Sequence, residues 1–161
     1  MKNKKRILAL IAAVLMIFTL AACTQNETPK NDADASDSSI VTDASGAELT
    51  GVWKGASYTE DKSFGEGAKT ITVKVTADER SVTFTIKTDK DNLGDALLEH
   101  GLVEGEDGAY GLYIKKVNGI LADYNVDKSY WGISKSGEDL MTGADGEKIS
   151  GGESYEIARK K

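Results

Sequence analysis

Two runs of strict alternation constrain this chain most. Ile71, Val73 and Val75 alternate with Thr72 and Lys74, and Val82, Phe84 and Ile86 alternate with Thr83 and Thr85. Only the polar stretch Ala77-Asp78-Glu79-Arg80 lies near the midpoint between them. Side chains on a strand point to opposite faces in turn, so a period of two predicts strands with one buried face. Two such runs across a short polar turn predict an antiparallel hairpin.

A helix is predicted next. Asn92 is placed to cap its start, with Asp95 three residues on in the first turn. Leu93, Ala96, Leu97 and, in part, Leu98 form the apolar stripe, and Gly101 is placed to end it in the left-handed conformation. Beyond a turn expected at 105–108, "YGLYIKKVNG" reads as a strand closed by Asn118-Gly119, a strong turn signal. "ILADYNVDK" reads as loop, Tyr130 to Ser134 as a short strand, Gly137 and Gly143 as the limits of a bend, and "SYEIA" as the last strand. This order predicts an α+β fold: a small β-grasp-like domain with a mixed or antiparallel sheet and one short helix.

The N-terminus reads differently. Lys2, Lys4, Lys5 and Arg6 precede an uncharged apolar run from Ile7 to Ala22. A bilayer span needs about 20 apolar residues, so the run suits the hydrophobic region of a signal peptide instead. It ends Leu20-Ala21-Ala22-Cys23, which resembles the lipobox of bacterial lipoproteins. That resemblance implies cleavage before Cys23 and lipid attachment to its thiol. The expected organisation is a signal peptide over 1–22, a lipidated Cys23 with a disordered linker over 23–50, an ordered leader over 51–67, and the folded domain over 68–161. The linker carries the only proline and no aromatic residue, a composition too polar to offset its ordering entropy. The expected location is outside the cytoplasm, anchored to a membrane that the chain does not cross.

Several function classes fall away. Four of the 20 Lys and Arg lie in the signal peptide, which leaves 16 against 26 Asp and Glu, a net charge of −10. Nucleic acid is not an expected partner of so acidic a chain. Cys23 is the only cysteine, so disulfides and thiolate catalysis are not expected in the folded part. His100 is the only histidine, at the expected helix end, where a capping or surface role accounts for it. One histidine without a second nitrogen or sulfur donor does not point to zinc. Asp89, Asp91, Gly94 and Glu99 miss the calcium-loop spacing. With no phosphate loop, dinucleotide fingerprint or nucleophile elbow, no enzymatic activity, metal or cofactor is expected.

From about Thr70 onward the elements "ITVKV", "FTIKTDKDNLGDALLEHGLVEG", "YGLYIKKVNGILADY" and "SYWGISKSGEDLMTGADGEKISGGESYEI", in this order, resemble a bacterial family of transcobalamin-like C-terminal domains. In the animal cobalamin carriers, the corresponding β-domain closes over one face of cobalamin and a helical domain holds the other. The resemblance implies a ligand site at Tyr130, Trp131, Gly132, Ile133 and Ser134, together with the loop at Leu140 and Gly143. The named candidate ligand is cobalamin or a related corrinoid, captured for a membrane importer. No counterpart of the helical half is visible, and "ISKSGE" is more polar than the aromatic strand usual in the family.

Two readings of Trp131 stand side by side. A tryptophan buries about 150–250 Å², worth about 4–6 kcal/mol at about 25 cal/mol per Å², so it can be core. A flat, largely apolar corrin fringed with amides equally suits an aromatic wall. The alternative function is a cell-surface module that contacts protein or glycan and takes no small ligand. Replacing Cys23 with serine is expected to abolish incorporation of labelled fatty acid and to move the protein from the detergent phase to the aqueous phase on phase partitioning. Unchanged labelling would overturn the lipobox reading.

Overall fold

The computed structural model describes residues 41–109 and 111–161. The signal peptide, Cys23 and the linker up to residue 40 lie outside the described residues.

The predicted hairpin is the frame of the domain. β2 (Lys69–Ala77) and β3 (Arg80–Thr88) pair antiparallel from Lys69↔Thr88 to Ala77↔Arg80. Asp78 turns the chain with a positive φ of 49°. Ile71, Val73, Val75, Val82, Phe84 and Ile86 are all buried, while the threonines and lysines between them look outward. On the outer edge of β3 lies β1 (Lys62–Phe64), parallel to it. Along the free edge of β2 runs the final strand, β9 (Ser154–Lys160), also parallel, with Val73 opposite Tyr155 and Val75 opposite Ile157. β7 (Tyr130–Lys135) then pairs antiparallel with β9, and the short β8 (Glu138–Asp139) borders β7. The sheet order is thus β1-β3-β2-β9-β7-β8.

Between the hairpin and β7 comes α1 (Leu93–Glu99). Its cap is the predicted one: the Asn92 side chain accepts from the Asp95 N–H at 2.7 Å. Leu93, Ala96 and Leu97 are buried and Leu98 is not. Gly101 ends the helix with a φ of 62°. The architecture is a mostly β, α+β domain with one main helix and mixed pairing.

Four local expectations are corrected. A second, three-stranded antiparallel sheet is present, made of β4 (Val103–Gly108), β5 (Gly111–Val117) and β6 (Ile120–Leu121). The turn expected at 105–108 is instead strand: Gly105 to Gly108 pair with Ile114 to Gly111 of β5, past a bulge that leaves Lys115 of β5 without a partner in the ladder. "ILADYNVDK" is not loop. Asn118-Gly119 folds Ile120 back onto Val117, and Asp123 caps a single turn, α2 (Tyr124–Asp127), by accepting from the Asn125 N–H. His100 stands at the C-cap of α1, one of the two roles expected, but not at the surface: its imidazole is 15% exposed and stacks on Phe64 at 5.5 Å.

The linker also ends earlier than expected. Val41 to Thr50 turn back on themselves around Asp43, and Leu49 is buried in the core at 1% exposure. Just beyond it, a 3-10 turn (Gly51–Gly55) buries Trp53, whose indole N–H donates to the Ala77 carbonyl at 2.8 Å. Arg80 pins the strap by its hydrogen bond to Asp43 at 2.7 Å. A single leucine in a mostly polar stretch carries no period, so sequence pattern alone passes over it. Leu49→Ala is expected to lower stability by about 2–5 kcal/mol, the range for a fully buried leucine. Urea unfolding measures this, and a loss under about 0.5 kcal/mol, as at a surface site, would show that the strap is not part of the core.

Candidate ligand-binding cleft

The cleft follows from where β8 stops. β8 pairs only with Ser134 and Lys135, so the Tyr130–Gly132 stretch of β7 has no strand alongside it on that edge. Antiparallel pairing sends the peptide groups of alternate residues to opposite edges. The Ile133 carbonyl faces the β8 side, since it accepts from the Leu140 N–H at 2.8 Å. The peptide groups of Trp131, two residues back, therefore point to the same edge, beyond the end of β8.

Facing this edge is β5, and a cleft of about 220 Å³ opens between the two sheets. Tyr130, Trp131, Gly132 and Ile133 form one wall, Leu112, Tyr113 and Ile114 the other, and Leu140, Thr142, Gly143 and Ala144 the floor. Six of the seven residues singled out from sequence thus border one opening. Ser134 does not: it lies opposite Asp139 in the β7–β8 pair.

Trp131 itself is 9% exposed and belongs to the core cluster. Its indole N–H donates to the Lys115 carbonyl of β5 at 3.3 Å, which ties the two sheets together behind the cleft. The residues held out to solvent are tyrosines, Tyr113 at 48% and Tyr130 at 42%. Met141, between Leu140 and Thr142, is almost fully exposed. Sequence reasoning missed the β5 wall. Its only signal was the alternation in "GLYIKK", which puts Leu112 and Ile114 on one face and Tyr113 on the other.

Polar contacts fix the cleft's surroundings. The Asp145 carboxylate accepts from the Leu112 N–H at 2.7 Å, and a Cβ on Gly94 would come within 2.2 Å of the same carboxylate. This close packing seats the 3-10 turn Ala144–Gly146 between β5 and α1. On the other side, Glu147 accepts from Lys135 Nζ at 2.7 Å and from the Tyr155 hydroxyl at 3.0 Å. Burial, then that hydrogen bond, push the Tyr155 hydroxyl well above the ordinary tyrosine range.

Before Tyr130, Ser129 is wholly buried, and the Arg159 side chain is 5% exposed. Arg159 donates to the Leu121 carbonyl at 3.1 Å, to the Ser129 hydroxyl at 2.9 Å, and to Asp127. A guanidinium this buried requires such partners.

Neither a protein-family model nor a curated protein matches the chain. Among solved structures, a protein from Ruminococcus gnavus, provisionally assigned as metal-binding, is 38% identical. The match covers 58% of this chain and 97% of that one, with a TM-score of 0.55. The chain belongs to the family of that protein. Haptocorrin in complex with Cbi also matches, at 21% identity and a TM-score of 0.45, over 61% of this chain. The chain spans 26% of haptocorrin's length.

The Ser129 hydroxyl, ahead of the Ser129 N–H and the Arg159 guanidinium, lowers the Asp127 carboxyl from 3.8 to about 2. Asp43 is likewise lowered to about 2, mainly by the Ser45 hydroxyl and Arg80. A depressed carboxyl contributes stability that is complete above its unfolded value and is lost as pH falls toward its folded one. Thermal midpoints are therefore expected to drop between about pH 4 and pH 2. Asp127→Asn should be less stable than the parent at pH 6 and should lose less of its midpoint across that interval. An identical acid slope in parent and variant would refute the assignment.

Proposed function

We propose that this chain is a ligand-binding module of the cell exterior, tethered by lipid at Cys23, which presents the β5–β7 cleft to a small, flat, largely apolar ligand for delivery to a membrane importer. One observation carries the reading: an unpaired strand edge beside an apolar cleft flanked by two half-exposed tyrosines. Aromatic and aliphatic walls receive the face or rim of a ring, and the free peptide groups of Trp131 offer one donor and one acceptor to amides on its periphery.

Corrinoids have this chemistry, and the sequence resemblance to transcobalamin-like domains supports them as the candidate class. Volume sets the binding mode. Pockets that engulf a drug-sized ligand run to about 300–1,000 Å³, so a cleft of about 220 Å³ grips an edge and leaves the rest open. A bare metal ion suits this cleft poorly, because none of its described lining residues carries a carboxylate, imidazole or thiol.

The experiment is a titration of the full chain, carrying Cys23→Ser and held in detergent, with dicyanocobinamide and with hydroxocobalamin. Visible absorbance and tryptophan fluorescence report binding. Saturable binding is expected, weakened about tenfold by Tyr130→Ala or Tyr113→Ala, equivalent to about 1.4 kcal/mol, with little change in thermal midpoint. Trp131→Ala is a poor probe, since removing a core tryptophan costs about 3–5 kcal/mol of stability. Absence of saturation at millimolar ligand would discard the corrinoid and leave the cell-surface contact module as the better account.

A further inference from the structure

At the opposite edge of the main sheet lies a second and more polar cavity, of about 320 Å³. It is lined by the loop Gly65-Glu66-Gly67, by Lys87, Thr88 and Asp89 where β3 ends, and by Glu99 and His100 where α1 ends. The loop is pressed hard onto the strand. A Cβ on Gly65 would stand 2.0 Å from the Lys87 carbonyl oxygen and 3.0 Å from His100 Nε2, and one on Gly67 would stand 2.0 Å from the Thr88 carbonyl carbon. Only glycine fits at either place, and this close approach covers the imidazole.

His100 Nε2 is buried and has no hydrogen-bond partner. Its nearest counterpart is Glu99 Oε2 at 3.7 Å, too far for a hydrogen bond. Two donors on one tetrahedral ion, at bonds of about 2.0–2.2 Å, stand about 3.4 Å apart. The observed separation is near that span. Glu99 is also held in place, as a metal-binding carboxylate commonly is: the buried Thr88 hydroxyl donates to the same Oε2 at 2.7 Å and accepts from the Lys90 N–H at 3.1 Å. Stacking on Phe64 fixes the ring.

We propose that His100 Nε2 and Glu99 Oε2 form a half-built site for a borderline divalent transition ion such as Zn²⁺, which Glu66 and water complete from the cavity side. Neutral imidazole with carboxylate and water is a donor set that such ions accept. Among the described residues no three histidine, cysteine, aspartate or glutamate side chains already converge as ligands. Glu66 is exposed on the cavity wall and free to swing in. Lys90, whose Nζ lies 3.8 Å from Glu99 Oε1, and Lys87 compete with the ion, so binding is weaker than at a closed structural site. This site shares no residue with the β5–β7 cleft and stands independently of the ligand proposed there.

The test titrates Zn²⁺ into the tag-free full chain carrying Cys23→Ser, so that no thiol competes, by equilibrium dialysis and by imidazole ¹⁵N spectroscopy. His100 is the only histidine, so its two nitrogen signals need no residue assignment, and their couplings to the ring protons tell Nε2 from Nδ1. One ion per chain is expected, with the Nε2 signal moving to the position of a metal-bound nitrogen. Affinity should fall at least tenfold in His100→Phe, which keeps an aromatic ring against Phe64, and about tenfold in Glu99→Gln. Should His100→Phe fail to fold, Glu99→Gln and the parent's Nε2 signal decide the matter. An Nε2 signal unmoved at saturating Zn²⁺, or binding that neither substitution weakens, would overturn the proposal.

Discussion

The parallel pairing of β2 with β9 is the contact on which the rest of this domain depends. The last strand of the chain enters between the hairpin and β7, so β7 has its long partner only once the C-terminus is in place. Its inner face adds Tyr155 and Ile157 to the core built by Val73, Val75 and Phe84. On the outer face Glu156 meets Thr76 at 2.7 Å and Lys74 at 3.5 Å. Such a pairing closes a long loop before its contacts repay the lost entropy. The local hairpin supplies a surface on which that closure becomes favourable.

The cleft depends on this closure at one remove. β7 is held to β9, while β8 is too short to cover the edge of β7 that remains. Irregular chain fills the space below, and polar contacts rather than a regular ladder give it shape. Asp145 fastens the floor to β5, Glu147 fastens it to β7 and β9, and Arg159 fastens the approach to Tyr130. The Glu147 and Arg159 side chains are largely buried, where burial demands a partner, whereas Asp145 makes its contact at the surface. Of the two readings that its sequence left open, the Trp131 ring takes the core one, while its peptide groups lie on the free edge.

The two edges of the main sheet differ in chemistry. At the β7 edge the lining is aromatic and aliphatic, with hydroxyls and backbone as its polar groups. At the β1–β3 edge it is carboxylate, imidazole and lysine, folded over by a loop that tolerates only glycine at 65 and 67. One therefore suits a flat apolar surface and the other a small cation. The core between them separates the two chemistries.

Residue pattern alone determined the hairpin, the capped helix, the Asn118-Gly119 turn and the strand at Tyr130, because each rests on local physics: side-chain alternation, a cap, or a left-handed turn. The resemblance to transcobalamin-like domains picked out most of the β7 wall. Tertiary structure decided what no local signal carries. It gave the chain two sheets where one was expected, because β4 runs on through the stretch expected to turn, past a bulge at Lys115 of β5, and a tight turn returns Ile120 to β5. It brought Tyr113 and Tyr130 to the border of one cleft, buried Leu49 from a polar stretch, and closed Gly65 over His100. Those outcomes depend on contacts between residues distant in sequence, whose free energy exists only once β9 has brought the separate elements together.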